Sequence, residues 1–174
     1  MKPMRAHQHT AFTLIELLVV VTIIAVLAAL LFPALQLTRK KINRNVAIVE
    51  VKGIQVGLIH YLADNHNPPT FALESKAVAI DETIAEVLTG TNDDDNNNRP
   101  GTSYIEFKKL DDQGAPLNPW GYRYFFKFDV DYDNKIDSGT GEPPQDDVAL
   151  PVIVWTMNED LSESDENRLI ASWR

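Results

Sequence analysis

From Leu17 to Leu35 the chain runs 19 residues without a charge, inside a longer apolar segment, Ala11 to Leu37, whose one charged residue is Glu16. As a helix, 19 residues cover about 28 Å, close to the roughly 30 Å hydrocarbon core of a bilayer. The pattern predicts a membrane-spanning helix. Beyond it, apolar residues recur at steps of three and four: Ile42, Val46, Val49, Gly53, Val56 and Ile59. That spacing gives one apolar stripe on a helix that continues the first to about Asp64, and the stripe is expected to pack on the globular part. From Phe12 to about Leu62 such a helix is roughly 75 Å long.

The prolines of Asn65-His66-Asn67-Pro68-Pro69 end that helix. A second, short helix is predicted from Asp81 to Leu88, with Asp81 as its N-cap and Gly90 as its stop. Asn92 to Asn98 is a polar run expected to be a solvated loop. Then the period changes to two. Ser103 to Phe107 is one strand candidate and Val148 to Thr156 another. Between them, Tyr122 to Val130 alternates Tyr122, Tyr124, Phe126, Phe128 and Val130 against Arg123, Phe125, Lys127 and Asp129, with Phe125 as the apolar exception. Pro119-Trp120-Gly121 reads as a tight turn with an aromatic lid over the sheet. The predicted class is α+β, a long N-terminal helix packed on a small antiparallel sheet domain. Gly53 and Gly57, one helical turn apart, are expected at a close backbone contact with the sheet.

The chain has 174 residues, so about 130 follow the membrane segment, enough for one small domain. It has no cysteine, which excludes a disulfide scaffold. From Asn45 onward there are 24 acidic and 10 basic residues, a net charge of −14. Such a domain repels nucleic acid and attracts divalent cations. No G-x-S-x-G, H-E-x-x-H or phosphate-binding glycine loop is present, and the lone His60 makes no metal site, so the chain is expected not to be an enzyme.

Candidate chemistry lies in two places. Glu16 at the edge of an apolar helix is costly and calls for a partner. Pro33 lacks the N–H that would bond the Ala29 carbonyl, which predicts a kink or melted turn there, read either as a tolerated membrane proline or as a hinge. In the outer domain, Asp129, Asp131, Asp133 and Asp137 stand at alternate or near-alternate positions around Asn134, which tolerates a left-handed conformation, with Ile136 as apolar anchor. These are the first nine positions of an EF-hand-like calcium loop; position twelve, ordinarily Glu, is Thr140. An acidic hairpin turn is the alternative reading.

The weakly basic leader Met1 to Thr10, followed by Ala11 and then Phe12-Thr13-Leu14-Ile15-Glu16, resembles the class III signal of type IV pilins and type II secretion pseudopilins. The resemblance implies cleavage by a membrane prepilin peptidase between Ala11 and Phe12, N-methylation of Phe12, and a role in assembly for Glu16; Ala11 stands where the family usually has Gly. Many members also carry a proline where Pro33 sits. Glu16 then has two possible partners, the Phe12 amine of its own chain or that of a neighbour in a filament. Further along, HYLADNHNPPT resembles the end of the pseudopilin helix, and Asn118-Pro119-Trp120-Gly121-Tyr122-Arg123-Tyr124 resembles the major pseudopilins' D-P-W-G-x-x-Y, with Asn118 for Asp. The segment from Trp155 to Trp173 resembles their C-terminal calcium loop, which makes Asp160 and Asp165 the alternative ligands.

On that resemblance residues 1–11 are a leader, 12–37 a transmembrane and assembly helix, 38–64 its second half, and 65–174 an extracytoplasmic domain. The implied protein is a structural subunit of a short filament, the pseudopilus, that serves type II protein secretion. It is anchored by a single pass in the bacterial inner membrane with its C-terminal domain in the periplasm. Its implied partners are other pseudopilin subunits, the peptidase and the inner-membrane secretion platform. Lys and Arg counts oppose this orientation, since Arg39, Lys40, Lys41 and Arg44 follow the span while Lys2 and Arg5 precede it. A minor pilin of a type IV pilus, or a membrane-anchored calcium-dependent binding module that never polymerises, are the alternatives.

Overall fold

The structure is a computed structural model and describes residues 13–65, 76–91, 102–138, 143–144, 146–158, 161–162, 164–165 and 168–174, the side chain of residue 34 aside. The expected loop from Asn92 to Asn98, the helix-ending prolines Pro68 and Pro69, and Thr140 lie outside the described residues. Helix α1 spans Leu14–Asn65. It is followed by β1 (Val78–Ala79), α2 (Glu82–Thr89), β2 (Tyr124–Phe128), β3 (Val152–Met157) and β4 (Leu169–Ala171). The four strands form one antiparallel sheet in the order β1-β2-β3-β4. The expected α+β class is what the chain adopts. It divides into two compact units, with the boundary between Lys41 and Ile42.

Within the second unit, α1 and α2 lie on one face of the sheet. Ala47, Val51, Ile54, Leu58 and Tyr61 of α1 meet Ile84, Val87 and Leu88 of α2 over Tyr124, Phe126, Phe128, Val152, Val154 and Ile170. The predicted packing stripe is therefore the wrong one. Ile42, Val46, Val49, Gly53 and Val56 are exposed, with Val49 at 68%, and only Ile59 of that set packs against the core. Two apolar stripes of the same period share this helix, and the pattern of positions favoured the one that looks outward.

The predicted caps of α2 are both present. The Asp81 carboxylate accepts from the Ile84 N–H at 3.0 Å, and Gly90 takes the left-handed conformation, φ 74°, with its N–H on carbonyls of the last turn. Ser103 to Phe107, expected as a strand, joins no sheet; the Tyr104 and Ile105 N–H groups both donate to the Leu88 carbonyl, at 2.9 and 3.2 Å. β1 and β4 fall where no strand was expected.

Phe125, the exception to the alternation, has an explanation on the sheet's other face. It stacks on Trp155 at 5.9 Å between ring centroids, in a second apolar cluster with Ile136, Ile153, Ala171 and Trp173. The connection between β2 and β3 contributes Ile136, Val148 and Leu150 to this cluster, held by an antiparallel bridge between Ile136 and Val148.

Candidate functional site

The first candidate is the start of α1. Thr13 is its N-cap: the Thr13 N–H and hydroxyl donate to Glu16 Oε2 at 2.8 and 2.6 Å, and the Glu16 N–H donates to Thr13 Oγ1 at 3.3 Å. This is a reciprocal capping box, for which the T-x-x-E spacing of Thr13 and Glu16 is the sequence signal. Glu16 thus has a local partner other than the two Phe12 amines weighed from sequence. Ala11 and Phe12 lie outside the described residues, so the structure places neither the cleavage point nor the methylated amine. Of the kink or melted turn expected at Pro33, the melted turn is not formed, since α1 continues through that residue. By length and composition α1 suffices to cross a membrane, and its most apolar stretch is nowhere buried by the described chain.

The second candidate is the acidic turn after β2. Asp129, Asp131 and Asp133 each bring a carboxylate oxygen within 4.8 Å of the others', so the trio could hold a metal ion. Asp129 is buried at 8% exposure; its Oδ2 accepts the Asn134 N–H at 2.8 Å, while Oδ1 is buried without a hydrogen-bond partner among the described residues. Asn134 takes the left-handed conformation foreseen for it, φ 63°, and so does Tyr132, φ 60°, which nothing in the sequence had marked. Asp137 stands apart from the trio. Its carboxylate meets Lys135 Nζ at 3.1 Å, and its carbonyl accepts from the buried Lys127 at 2.9 Å. Lys135 also reaches Asp147 at 2.8 Å; that hydrogen bond, ahead of one from the Ser138 N–H, holds the Asp147 carboxyl below the usual carboxylate range.

Of the alternative pair, Asp160 lies outside the described residues. Asp165 sits in a turn where its N–H donates to the Ser162 carbonyl and its own carbonyl accepts from the Arg168 N–H, each at 3.0 Å. Among the described residues the Asp129 trio is the one cluster of three metal-ligating side chains.

Asn118, which the sequence marks only as a departure from D-P-W-G, is a structural residue. It is fully buried. Its Oδ1 accepts the Trp120 and Tyr122 N–H groups at 3.0 and 2.9 Å, and its Nδ2 donates to Thr156 Oγ1 at 2.8 Å and to the Met157 carbonyl at 3.0 Å. The amide thereby shapes the Pro119-Trp120-Gly121 turn and fastens it to β3. Its work is in the fold and not in chemistry.

Comparison with known proteins gives a consistent picture. Residues 7–32 match the family described as the prokaryotic N-terminal methylation motif. The type II secretion system core protein G of Pseudomonas aeruginosa is 35% identical over 121 residues, covering 70% of this chain and 75% of that protein. The proteins of the same name from Vibrio cholerae and Escherichia coli K12 are 33% and 32% identical, covering 73% and 70% of their lengths and 71% and 67% of this chain. No solved structure matches the chain.

Proposed function

Because the chain belongs to the type II secretion system core protein G family, we propose that it is a structural pseudopilin subunit that polymerises through α1 into a pseudopilus. One observation carries the polymerisation. Ile42, Val46, Val49, Gly53 and Val56 recur at steps of four and three on the face of α1 that the domain's own core leaves exposed. Alternating steps of four and three are the seam of helix-on-helix packing, so the domain carries a ready face for another helix. On this reading the prepilin peptidase cuts between Ala11 and Phe12, Phe12 is N-methylated, and Glu16 meets the amine of a neighbouring subunit in place of its Thr13 cap.

The span then holds the protein in the bacterial inner membrane with the acidic domain in the periplasm, against the secretion platform and other pseudopilins. The protein works as an assembly subunit and not as an enzyme, and nucleic acid is not a partner for a domain of charge −14. Calcium is the ion this domain takes up: its acidic oxygen groups are the hard ligands that calcium prefers.

Mass spectrometry of the mature protein, together with sedimentation of filaments from cells making the unmutated chain or Glu16→Gln, tests the reading. A first residue of N-methylated Phe12, with filaments that diminish in the variant, is expected. An intact Met1 in a chain that forms no filaments would overturn it.

A further inference from the structure

We propose that the turn from Asp129 to Asn134 is a discrete calcium site, held by the carboxylates of Asp129, Asp131 and Asp133, that fastens the connection between β2 and β3 over the second apolar cluster. The proposal rests on the calcium reading above and names its site.

The carboxylates converge because the chain is folded back on itself. The Asp129 N–H is tied to the Pro151 carbonyl at 3.0 Å, which fixes this residue at the end of β2, and its Oδ2 draws in the Asn134 N–H. Asp131 and Asp133 are thereby brought beside it, and both are exposed. Two facts point to a ligand. The buried Oδ1 of Asp129 has no hydrogen-bond partner among the described residues, which is costly for a carboxylate oxygen removed from water. The neighbouring lysines are also engaged elsewhere, Lys135 with Asp137 and Asp147 and Lys127 with the Asp137 carbonyl. Three carboxylates this close repel one another unless a cation lies among them.

An all-oxygen donor set disfavours the metals that seek sulfur or nitrogen. Between the two common hard cations, a turn offering three carboxylates suits calcium, because magnesium demands near-ideal octahedral geometry and keeps several waters. The bound ion would hold the start of a connection whose Ile136, Val148 and Leu150 pack in the cluster around Trp155.

Calorimetric titration of calcium chloride into the full chain in detergent micelles tests the site, with the Asp131→Asn, Asp133→Asn double variant as the comparison. Both positions are exposed and the substitutions relieve the repulsion among the three carboxylates, so in chelator the variant should melt no lower than the unmutated chain. It is expected to bind one calcium ion fewer per chain. Terbium provides a second readout: Tyr132 lies between the two aspartates, so Tyr132→Phe should dim tyrosine-sensitised terbium emission without weakening calcium binding. A double variant that binds as many ions as tightly as the unmutated chain overturns this site and leaves the calcium reading standing. No calcium uptake by the unmutated chain overturns both, while the pseudopilin reading still rests on the mature N-terminus.

Discussion

The Asn118 amide makes two acceptor bonds and two donor bonds, and Thr156 Oγ1, which accepts from it, donates its own O–H to the Arg123 carbonyl at 2.8 Å. A carboxylate has no donor, so Asn118→Asp would set a buried charge against the Met157 carbonyl. We expect that change to cost about 2–4 kcal/mol, read as a lower urea midpoint. Stability equal to the unmutated chain would show that the amide's donors are dispensable. The turn itself was legible from Pro119 and Gly121, but the partner of the amide is 38 residues away and no local pattern marks it. Tyr124 gives a second test. Burial first, then its 2.6 Å hydrogen bond to Glu50 and the charge of that carboxylate, push its hydroxyl above the ordinary tyrosine range. Burial, and then the neighbouring Tyr104, push Tyr61 up to about 12. As pH rises above about 10 the unfolded chain releases these protons before the folded chain does, so stability falls. Tyr124→Phe should lower stability near neutrality by about 1–2 kcal/mol and make the alkaline decline shallower, as measured by urea midpoints from about pH 8 to about pH 11. An unchanged decline would remove Tyr124 from the account.

Among the elements, α1 carries the sharpest contrast. A Cβ on Gly57 would collide with Ile105 Cγ1 and lie 2.9 Å from the Tyr104 carbonyl oxygen, while one on Gly53 would meet nothing within 4 Å. Gly57→Ala is therefore expected to destabilise the domain by about 1–3 kcal/mol through overpacking. Gly53→Ala should stabilise it by about 0.5–1 kcal/mol, because alanine loses less backbone freedom in a helix. Thermal melts of the two variants shifting in the same direction would contradict this assignment of faces. The close contact expected for both glycines from sequence holds for Gly57, against the segment at Tyr104 and Ile105 and not against a strand. α2 was legible to its caps because its signals are local. β1 and β4, of two and three residues, were not, because their existence depends on partners supplied by β2 and β3.

For the whole molecule, charge and assembly pull in opposite directions. The exposed seam from Ile42 to Val56 is short, and the domain around it carries a net charge of −14 from Asn45 onward. In the proposed filament, seam packing is then too weak to join free domains and counts only where anchoring by the span raises the effective concentration of neighbours. A chain beginning at Ile42 is expected to sediment as a folded monomer at micromolar concentration. In the full chain, Val46→Glu with Val49→Glu should leave the domain's melt within about 0.5 kcal/mol of the unmutated value and reduce filament yield. Filaments formed as abundantly by that variant would show that the seam has no part in assembly.

The buried face of α1 also sets an order of events in time. Ala47, Val51, Ile54 and Leu58 leave the ribosome well before most of the strand residues that cover them, which run from Tyr124 in β2 to Ile170 in β4. Until then only Val78 of β1 and Ile84, Val87 and Leu88 of α2 are at hand to cover that apolar flank, and most of it stays open. A chain cut short before Tyr124 is thus expected to be more open to aggregation and proteolysis than the finished domain.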